Sequence, residues 1–241
     1  MGQGWASYLG PVGDAHAHAH HAVQVCIAKT HDIAVEIGRQ SELTNRVIVI
    51  APRVKHRLQP TNEPACIVYL EPVSILGLWV QQRFDGEDFY LSTQSLAIDD
   101  TIISYKQLQE KITALWPDIA FHSQLDPIDN RVRKTLSRIN QPHARLPDLS
   151  QLANTVNLSA SRLRHLFRGQ VGTSLSRYLL WVKLQRSVAS LSKQNSLSQA
   201  AYDGGFSDHA HMARTFRQLF GIMPSDISGH GQIQFANSQD E

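Results

Sequence analysis

The sequence has few cysteines and no long apolar run. Only Cys26 and Cys66 are cysteines among 241 residues, too few for a disulfide framework and compatible with a reducing cytoplasm. The longest apolar stretches, such as Ile75–Val80, are far shorter than the roughly 20 residues that span a membrane. Residues 1–13 lack a basic segment followed by an apolar run. We therefore expect no signal peptide, no membrane partner and a cytoplasmic location.

Charge is unevenly distributed along the chain. The total is +2, yet residues 1–126 contain 9 Lys/Arg against 14 Asp/Glu, a net of −5, and residues 127–241 contain 14 against 7, a net of +7. An acidic half joined to a basic half indicates two domains with separate tasks, the basic one being the candidate for nucleic acid. Chance variation in surface charge is the alternative explanation.

Short β-branched segments predict strands in the first third of the chain. They are bounded by Gly, Pro, Asn or Asp, and their length and spacing favour a small β-barrel or sandwich. These segments are 23–27, 33–37, 46–50 and 66–70.

The pattern becomes helical from Ser92. One helix is predicted over 92–116, either as a dimerisation helix of a homodimer or as a helix packed on the barrel. A second begins with Asp126 as N-cap and Pro127 at its first position, and runs to about Asn140. We thus predict a two-domain α+β protein, divided into a small barrel domain 1–91, a helical linker 92–125, an all-α domain 126–230 and a flexible tail 231–241.

A segment of the basic half predicts a helix, a turn and a second helix. The first helix starts at Leu149, the turn lies at Asn157, and Ser159 is a suitable N-cap for the second helix. Apolar residues at i, i+3, i+4 spacing should face the core, namely Leu163, Leu166 and Phe167. The opposite face has side chains that suit the major groove, where Arg bonds bidentately to guanine: Ser161, Arg164, His165 and Arg168, with Arg162 beside them.

The same pattern recurs 49 residues later. Gly204 and Gly205 predict the turn, and Ser207 or Asp208 caps the helix that follows. The inward positions belong to Met212 and Phe216. The outer face has Ala210, Ala213, Arg214 and Arg217, with His209 and His211 at its flank.

One continuous helix is predicted between the two units, over Ser174–Leu191. Eighteen residues at about 1.5 Å each span roughly 27 Å. With the flanking turns, this helix would hold two recognition helices about one DNA turn, near 34 Å, apart. One chain would then enter two successive major grooves.

The most informative stretch is Ala201-Tyr-Asp-Gly-Gly-Phe-Ser-Asp-His-Ala-His-Met-Ala-Arg-Thr-Phe-Arg-Gln-Leu-Phe-Gly-Ile-Met-Pro. Its Gly-Phe turn, its Arg followed by Phe-Arg, and its Phe-Gly before a Pro resemble the second helix-turn-helix unit of the AraC/XylS family of transcription regulators. The resemblance covers 149–227, about a third of the chain. It implies sequence-specific binding of double-stranded DNA and control of transcription, with RNA polymerase as a partner.

The resemblance also implies roles for individual residues. Phosphate contact falls on Arg168 and Arg217. Base reading falls on Ser161, Arg164, His165, Ala210, Ala213 and Arg214. The alternative for each Arg or His is a solvated surface side chain, but a stripe repeated twice opposite a core-facing set argues against it for the arginines.

Histidines are concentrated near the N-terminus. Alternate residues in a strand share a face, so His16, His18 and His20 would point together into a barrel mouth. This half resembles a shortened cupin barrel, the sensor domain of many AraC-type regulators. In metal-binding cupins, an early His-x-His pair, an acidic residue and a later His form the site. By resemblance, the ligands here are His18, His20 and His56, with His16 as a substitute and Gln24 in place of the acidic residue.

Three explanations of these histidines stay open: a Zn²⁺ or Ni²⁺ site, the polar lining of a pocket for an organic effector, or a histidine-rich segment without a ligand. The rival functions are a cupin-type metal-dependent enzyme with a helical appendix and a DNA-repair protein with a reactive cysteine. The second requires an electropositive, partly exposed thiol, whereas Cys26 and Cys66 lie in apolar predicted strands. We therefore predict a DNA-binding regulator without catalytic activity.

Overall fold

The computed structural model describes residues 4–12, 16–38, 40–92, 94, 96, 104–121, 128–141, 145–193, 195–227 and 232–235. Its strands are β1 (Trp5–Val12), β2 (Val23–Ala28), β3 (Ile33–Ile37), β4 (Gln40–Asn45), β5 (Val47–Ile50), β6 (His56–Leu58), β7 (Thr61–Leu70), β8 (Phe89–Leu91) and β9 (Gln232–Phe235). Its helices are α1 (Ile75–Gln81), α2 (Tyr105–Thr113), α3 (Asn130–Ile139), α4 (Leu149–Thr155), α5 (Ala160–Val171), α6 (Leu175–Leu191), α7 (Leu197–Gly204), α8 (His209–Phe220) and α9 (Pro224–Ile227). Among these described helices, none is long and apolar enough to cross a bilayer.

The described strands form two antiparallel sheets. The larger has the order β8-β5-β2-β7-β1-β9 and the smaller the order β4-β3-β6. The four predicted strands correspond to β2, β3, β5 and β7, so this part of the prediction is confirmed. No pairing among the described strands closes the sheets into one barrel. The architecture is an antiparallel sheet domain followed by a helical domain.

Strand β2 lies inside the larger sheet, and its side chains are buried on both faces. Val23, Val25 and Ile27 point into a core that is completed by α1 and α2. Because side chains alternate along a strand, Gln24 and Cys26 point to the other face, where Cys26 belongs to a second core shared with the smaller sheet. Gln24 is fully buried there, and its amide lies beside His20, His56 and Cys26.

The helix predicted over 92–116 is wrong in extent. In the described residues it is limited to α2, because Ser104 forms a capping box with Gln107 that fixes the first turn. Leu108 and Ile112 are fully buried in the core of the sheet domain. In the described structure α2 therefore packs into the core of the sheet domain, which it shares with α1 and the larger sheet.

The helix predicted from Asp126 begins later, at Asn130. The carboxylate of Asp129 accepts a hydrogen bond from the Arg131 N–H at 2.8 Å and caps α3. Asp126 and Pro127 lie outside the described residues. Both aspartates carry the same local capping signal, so the sequence pattern does not distinguish them.

Part of the segment predicted as a flexible tail belongs to the larger sheet. Strand β9 pairs antiparallel with β1, with Phe235 opposite Ala6. The alternation Gln-Ile-Gln-Phe is a strand pattern, but four residues alone are too few to predict one. Strand β1 is likewise not apparent in the sequence, since Gly10 and Pro11 interrupt it and its register shifts after Pro11.

Candidate nucleic-acid interface and histidine cluster

The first helix-turn-helix unit consists of α4 and α5. The turn between them contains Asn157 in the left-handed conformation, at φ +53°, and the Ser159 hydroxyl accepts a hydrogen bond from the Arg162 N–H at 3.3 Å. Leu163 and Phe167 are fully buried. The predicted turn, N-cap and inward face are confirmed.

The second unit consists of α7 and α8. A Cβ atom on Gly204 would lie 2.0 Å from the Ser187 hydroxyl oxygen of α6, so only glycine lets α7 approach α6 this closely. The carboxylate of Asp208 accepts a hydrogen bond from the His211 N–H at 2.6 Å and caps α8. Met212 and Phe216 are buried as predicted.

Helix α6 joins the two units and is continuous over 17 residues. Ser174 is its N-cap, and Leu175, Val182 and Leu191 are buried. The predicted single connecting helix is confirmed.

The two outer faces expose the side chains predicted to meet DNA. On α5, the exposed residues are Ser161, Arg162, Arg164, His165 and Arg168. On α8, the exposed residues are His209, Ala210, Arg214 and Arg217, while His211 and Ala213 are half-buried. The structure thus places both arginine stripes on solvent-facing surfaces of the second helix of each unit.

The sheet domain contains a buried histidine cluster, which we define as His18, His20 and His56. One ring nitrogen from each of the three lies within 4.8 Å of the other two. The predicted shared face required a regular strand, but the segment that contains His18 and His20 is not one. Instead, His18 and His56 exchange a pair of backbone hydrogen bonds of 2.9 Å, and this bridge brings the rings together.

Burial determines the protonation of the cluster. Desolvation lowers the pKa of His56 to about 3 and lowers the pKa of His18. It also holds the pKa of His20 well below its ordinary value, with the nearby His56 adding to this effect. All three imidazoles are therefore neutral at neutral pH, which is the form that binds a metal ion.

His16, the proposed substitute ligand, lies outside the cluster. Its side chain is exposed, and its Nε2 accepts a hydrogen bond from the Arg217 guanidinium on α8. Its backbone N–H donates to the Gly221 carbonyl at 2.8 Å. The structure thereby joins a histidine of the predicted sensor set to an arginine of the predicted DNA-binding set.

The histidine cluster lies against the helical domain. The His20 ring centroid is 6.1 Å from that of Trp181 on α6 and 6.4 Å from that of Phe220 on α8. Tyr69 of β7 lies edge-on to both aromatic rings, at 5.9 and 5.3 Å. Sequence reasoning did not find this aromatic wall, because its members come from separate domains and no local pattern marks them.

A second histidine contact crosses the same interface. His21 is buried, and its Nε2 lies 3.3 Å from a carboxylate oxygen of Glu71. Its ring meets that of Trp181 edge-on at 4.8 Å. Residues 16–22 thus pack against α6 and α8 along much of their length.

Known proteins are similar to this chain in sequence over part of its length. Residues 152–229 match the helix-turn-helix domain family. The arabinose operon regulatory protein of Escherichia coli is 38% identical over 106 residues, covering 42% of this chain and 35% of that protein. The transcriptional activator RhrA of Rhizobium meliloti is 28% identical over 164 residues, covering 66% of this chain and 52% of that protein. The chain thus spans between about a third and a half of the lengths of these relatives.

The fold of the whole chain is similar to that of ToxT from Vibrio cholerae. A solved structure of that protein superposes with a TM-score of 0.56, covering 92% of this chain and 97% of the other at 9% identity. At this identity the likeness concerns the fold alone. The two helix-turn-helix units, the match over residues 152–229 and the named relatives together show that the helical domain is an AraC-type helix-turn-helix domain.

Proposed function

We propose that the chain is a sequence-specific DNA-binding transcription regulator whose N-terminal domain senses a small molecule or a metal ion. The observation that carries the proposal is the repetition of one exposed arginine stripe on the second helix of each helix-turn-helix unit. Such a helix, capped at its start and held by a buried opposite face, suits insertion into the major groove.

Helix α6 sets the spacing of the two recognition helices. Its 17 residues span about 26 Å at about 1.5 Å each. With the flanking turns added, the two recognition helices would lie about one DNA turn, near 34 Å, apart and would enter successive major grooves on one face of the duplex. In this arrangement, Arg164 and Arg214 read base edges, while Arg168 and Arg217 contact phosphates. The small side chains of Ala210 and Ala213 would contact bases by apolar packing, as with a thymine methyl group.

The sheet domain is proposed as the effector domain, in the manner of a shortened cupin barrel. One ToxT structure is described as bound to an unsaturated fatty acid, which supports a small-molecule effector for a chain of this fold. We further propose a cytoplasmic location, RNA polymerase as a partner, a homodimer as the assembled form and no catalytic activity. The regulatory names of the relatives support a role in transcription and the proposed lack of catalytic activity.

A shift assay with the full chain tests the proposed function. We expect the purified protein to retain particular promoter fragments of its own genome in preference to random duplex of equal length. The matched control is Arg164→Ala combined with Arg214→Ala, which should lose most of the preference for promoter over random duplex. Equal binding of promoter and random duplex by the wild-type chain would contradict sequence-specific regulation.

A further inference from the structure

The histidine cluster has a hydrogen-bond pattern that leaves an unprotonated nitrogen on each of its three rings. Each Nδ1 lies near a backbone carbonyl oxygen: His18 to His16 at 2.9 Å, His20 to Ala22 at 3.1 Å, and His56 to Val54 at 3.0 Å. A carbonyl oxygen only accepts, so each Nδ1 carries the proton of its neutral ring. Each Nε2 then has an unprotonated lone pair.

The three Nε2 atoms lack hydrogen-bond donors in the arrangement that the structure records. Those of His20 and His56 lie 2.7 and 3.1 Å from Gln24 Oε1, which is itself an acceptor. The Gln24 amide NH₂ instead donates to the Cys26 sulfur at 3.2 Å. His18 Nε2 is buried and has no hydrogen-bond partner among the described residues.

Rotation of the Gln24 amide does not give all three Nε2 atoms a hydrogen-bond donor. A rotated NH₂ group would donate to His20 and His56, yet His18 Nε2 would still be buried without a partner. A cation at the centre of the cluster would instead satisfy all three lone pairs and the amide oxygen. Two ligands about 2.0–2.1 Å from a tetrahedral Zn²⁺ lie about 3.3–3.4 Å apart. His56 Nε2 is 3.1 Å from Gln24 Oε1, close to this distance, and His20 Nε2, at 2.7 Å, would move outward by about half an ångström when the ion binds.

We propose that His18, His20 and His56 bind one divalent transition-metal ion through Nε2, with Gln24 Oε1 as a fourth ligand. The bound ion in turn holds His16, which lies two residues before His18, against α8. Imidazole ligands suit Zn²⁺ and Ni²⁺. Metal-bound histidines usually donate their other ring N–H to a carboxylate, a backbone carbonyl or water, and all three rings here have a backbone carbonyl in that position.

The end of α8 closely approaches the segment that contains His16 and His18. Gly221 ends α8, and a Cβ atom on it would lie 2.4 Å from the His16 carbonyl oxygen and 2.6 Å from His18 Nδ1. An ion that fixes His18 and His20 therefore also fixes His16, which contacts Arg217. This part of the proposal rests on the proposed DNA-binding function, in which Arg217 contacts phosphate. The bound ion favours the state in which Arg217 is hydrogen-bonded to His16. Because Arg217 is then not available to phosphate, the ion weakens DNA binding.

Metal titration of the full chain tests the site without DNA. After treatment with a chelator, the wild-type chain should bind one Zn²⁺ or one Ni²⁺ in competition with a chromogenic chelator. The exposed-histidine control His31→Ala should do the same, and His56→Ala should lose the binding. Absence of stoichiometric binding in the folded wild-type chain, or equal binding in His56→Ala, would overturn the site.

Gln24→Glu provides a variant that does not depend on deleting a ring. A carboxylate at this buried position should lower the Tm of the metal-free chain, since it is unpaired there. Added Zn²⁺ should raise the Tm by more than it does in the wild type, because the carboxylate then neutralises the ion. A histidine cluster with a merely structural role predicts a lower Tm that Zn²⁺ does not restore, and that result would overturn the site.

DNA binding with and without the ion tests the coupling. One equivalent of Zn²⁺ should weaken wild-type affinity for a retained promoter fragment at least about fivefold. His16→Ala should keep the metal stoichiometry and lose this effect. Stoichiometric metal with unchanged DNA affinity would overturn the coupling. A chain without DNA preference in either state would contradict the proposed function instead, and the titration would still decide the metal site.

Discussion

His16 and Arg217 are separated by 201 positions in the chain, yet the guanidinium of Arg217 donates a hydrogen bond to the imidazole of His16. The neighbouring backbone hydrogen bond from His16 to Gly221, at 2.8 Å, fixes the same approach. A cation that is predicted to contact phosphate is therefore engaged by the sheet domain. DNA and the sheet domain would compete for this one side chain.

Removal of this contact should strengthen DNA binding in a sequence-independent way. We expect His16→Ala to raise the affinity of the metal-free chain for promoter and random duplex alike, by between about twofold and tenfold, the value of one net hydrogen bond. In an Arg217→Ala background the same substitution should have no effect. Fluorescence anisotropy on both duplexes measures this cycle. An equal gain in DNA affinity in the two backgrounds would show that His16 affects DNA binding through a contact other than the one with Arg217.

The base-reading and phosphate-binding arginines should differ in their dependence on sequence. Arg164→Ala and Arg214→Ala should each weaken binding to the promoter site by about fivefold to hundredfold and relax base preference. Arg168→Ala and Arg217→Ala should weaken binding to every duplex similarly and reduce the salt slope by about one. Ser161→Ala should have a milder effect. Binding isotherms at several salt concentrations separate the two classes, and indistinguishable pairs would contradict the assignment.

The close approach of α7 to α6 should make Gly204 intolerant of a side chain. Gly204→Ala would place a methyl group 2.7 Å from the Lys183 carbonyl oxygen as well as against Ser187, and overpacking of this kind costs about 1–3 kcal/mol. The matched control is Gly169→Ala on the exposed surface of α5, where the added Cβ meets nothing within 4 Å. That change should stabilise the helix by up to about 1 kcal/mol. Thermal unfolding of both variants measures the contrast, and equal effects would disprove the packing explanation.

Local signals in the sequence were sufficient for the helical domain. Caps such as Ser159 and Asp208, and the buried positions Leu163 and Met212, are set by the helix period and by backbone hydrogen bonds within a few residues. These features are confirmed. The pattern does not predict the start of a helix where two equivalent N-cap residues are close together. Asp129 caps α3, three residues later than the predicted cap Asp126.

The surroundings of the histidine cluster could not be predicted from the sequence. The spacing of His18 and His20 marks them as candidate ligands. The bridge to His56 is a long-range contact within the sheet domain, and the contacts with Trp181 and Phe220 come from the helical domain, so no local pattern reports them. The same holds for His16, which the alternating pattern placed with the ligands. Its contact with Arg217 arises because the end of α8 packs on this segment, and no periodicity reports such a contact.

Both cysteines should be unreactive in the native protein, as expected for a regulator without a nucleophilic thiol. Cys26 is fully buried and Cys66 nearly so, and burial raises the pKa of each thiol to about 12. Because a raised pKa disfavours the thiolate, only about one molecule in ten thousand would carry it at pH 8. Iodoacetamide at pH 8 should therefore leave the native chain unlabelled while it modifies both thiols in denaturant, as mass spectrometry would show. The denatured chain is the control for reagent activity. Rapid native labelling of either cysteine would instead support a DNA-repair protein with a reactive thiol, because such labelling requires an accessible thiolate.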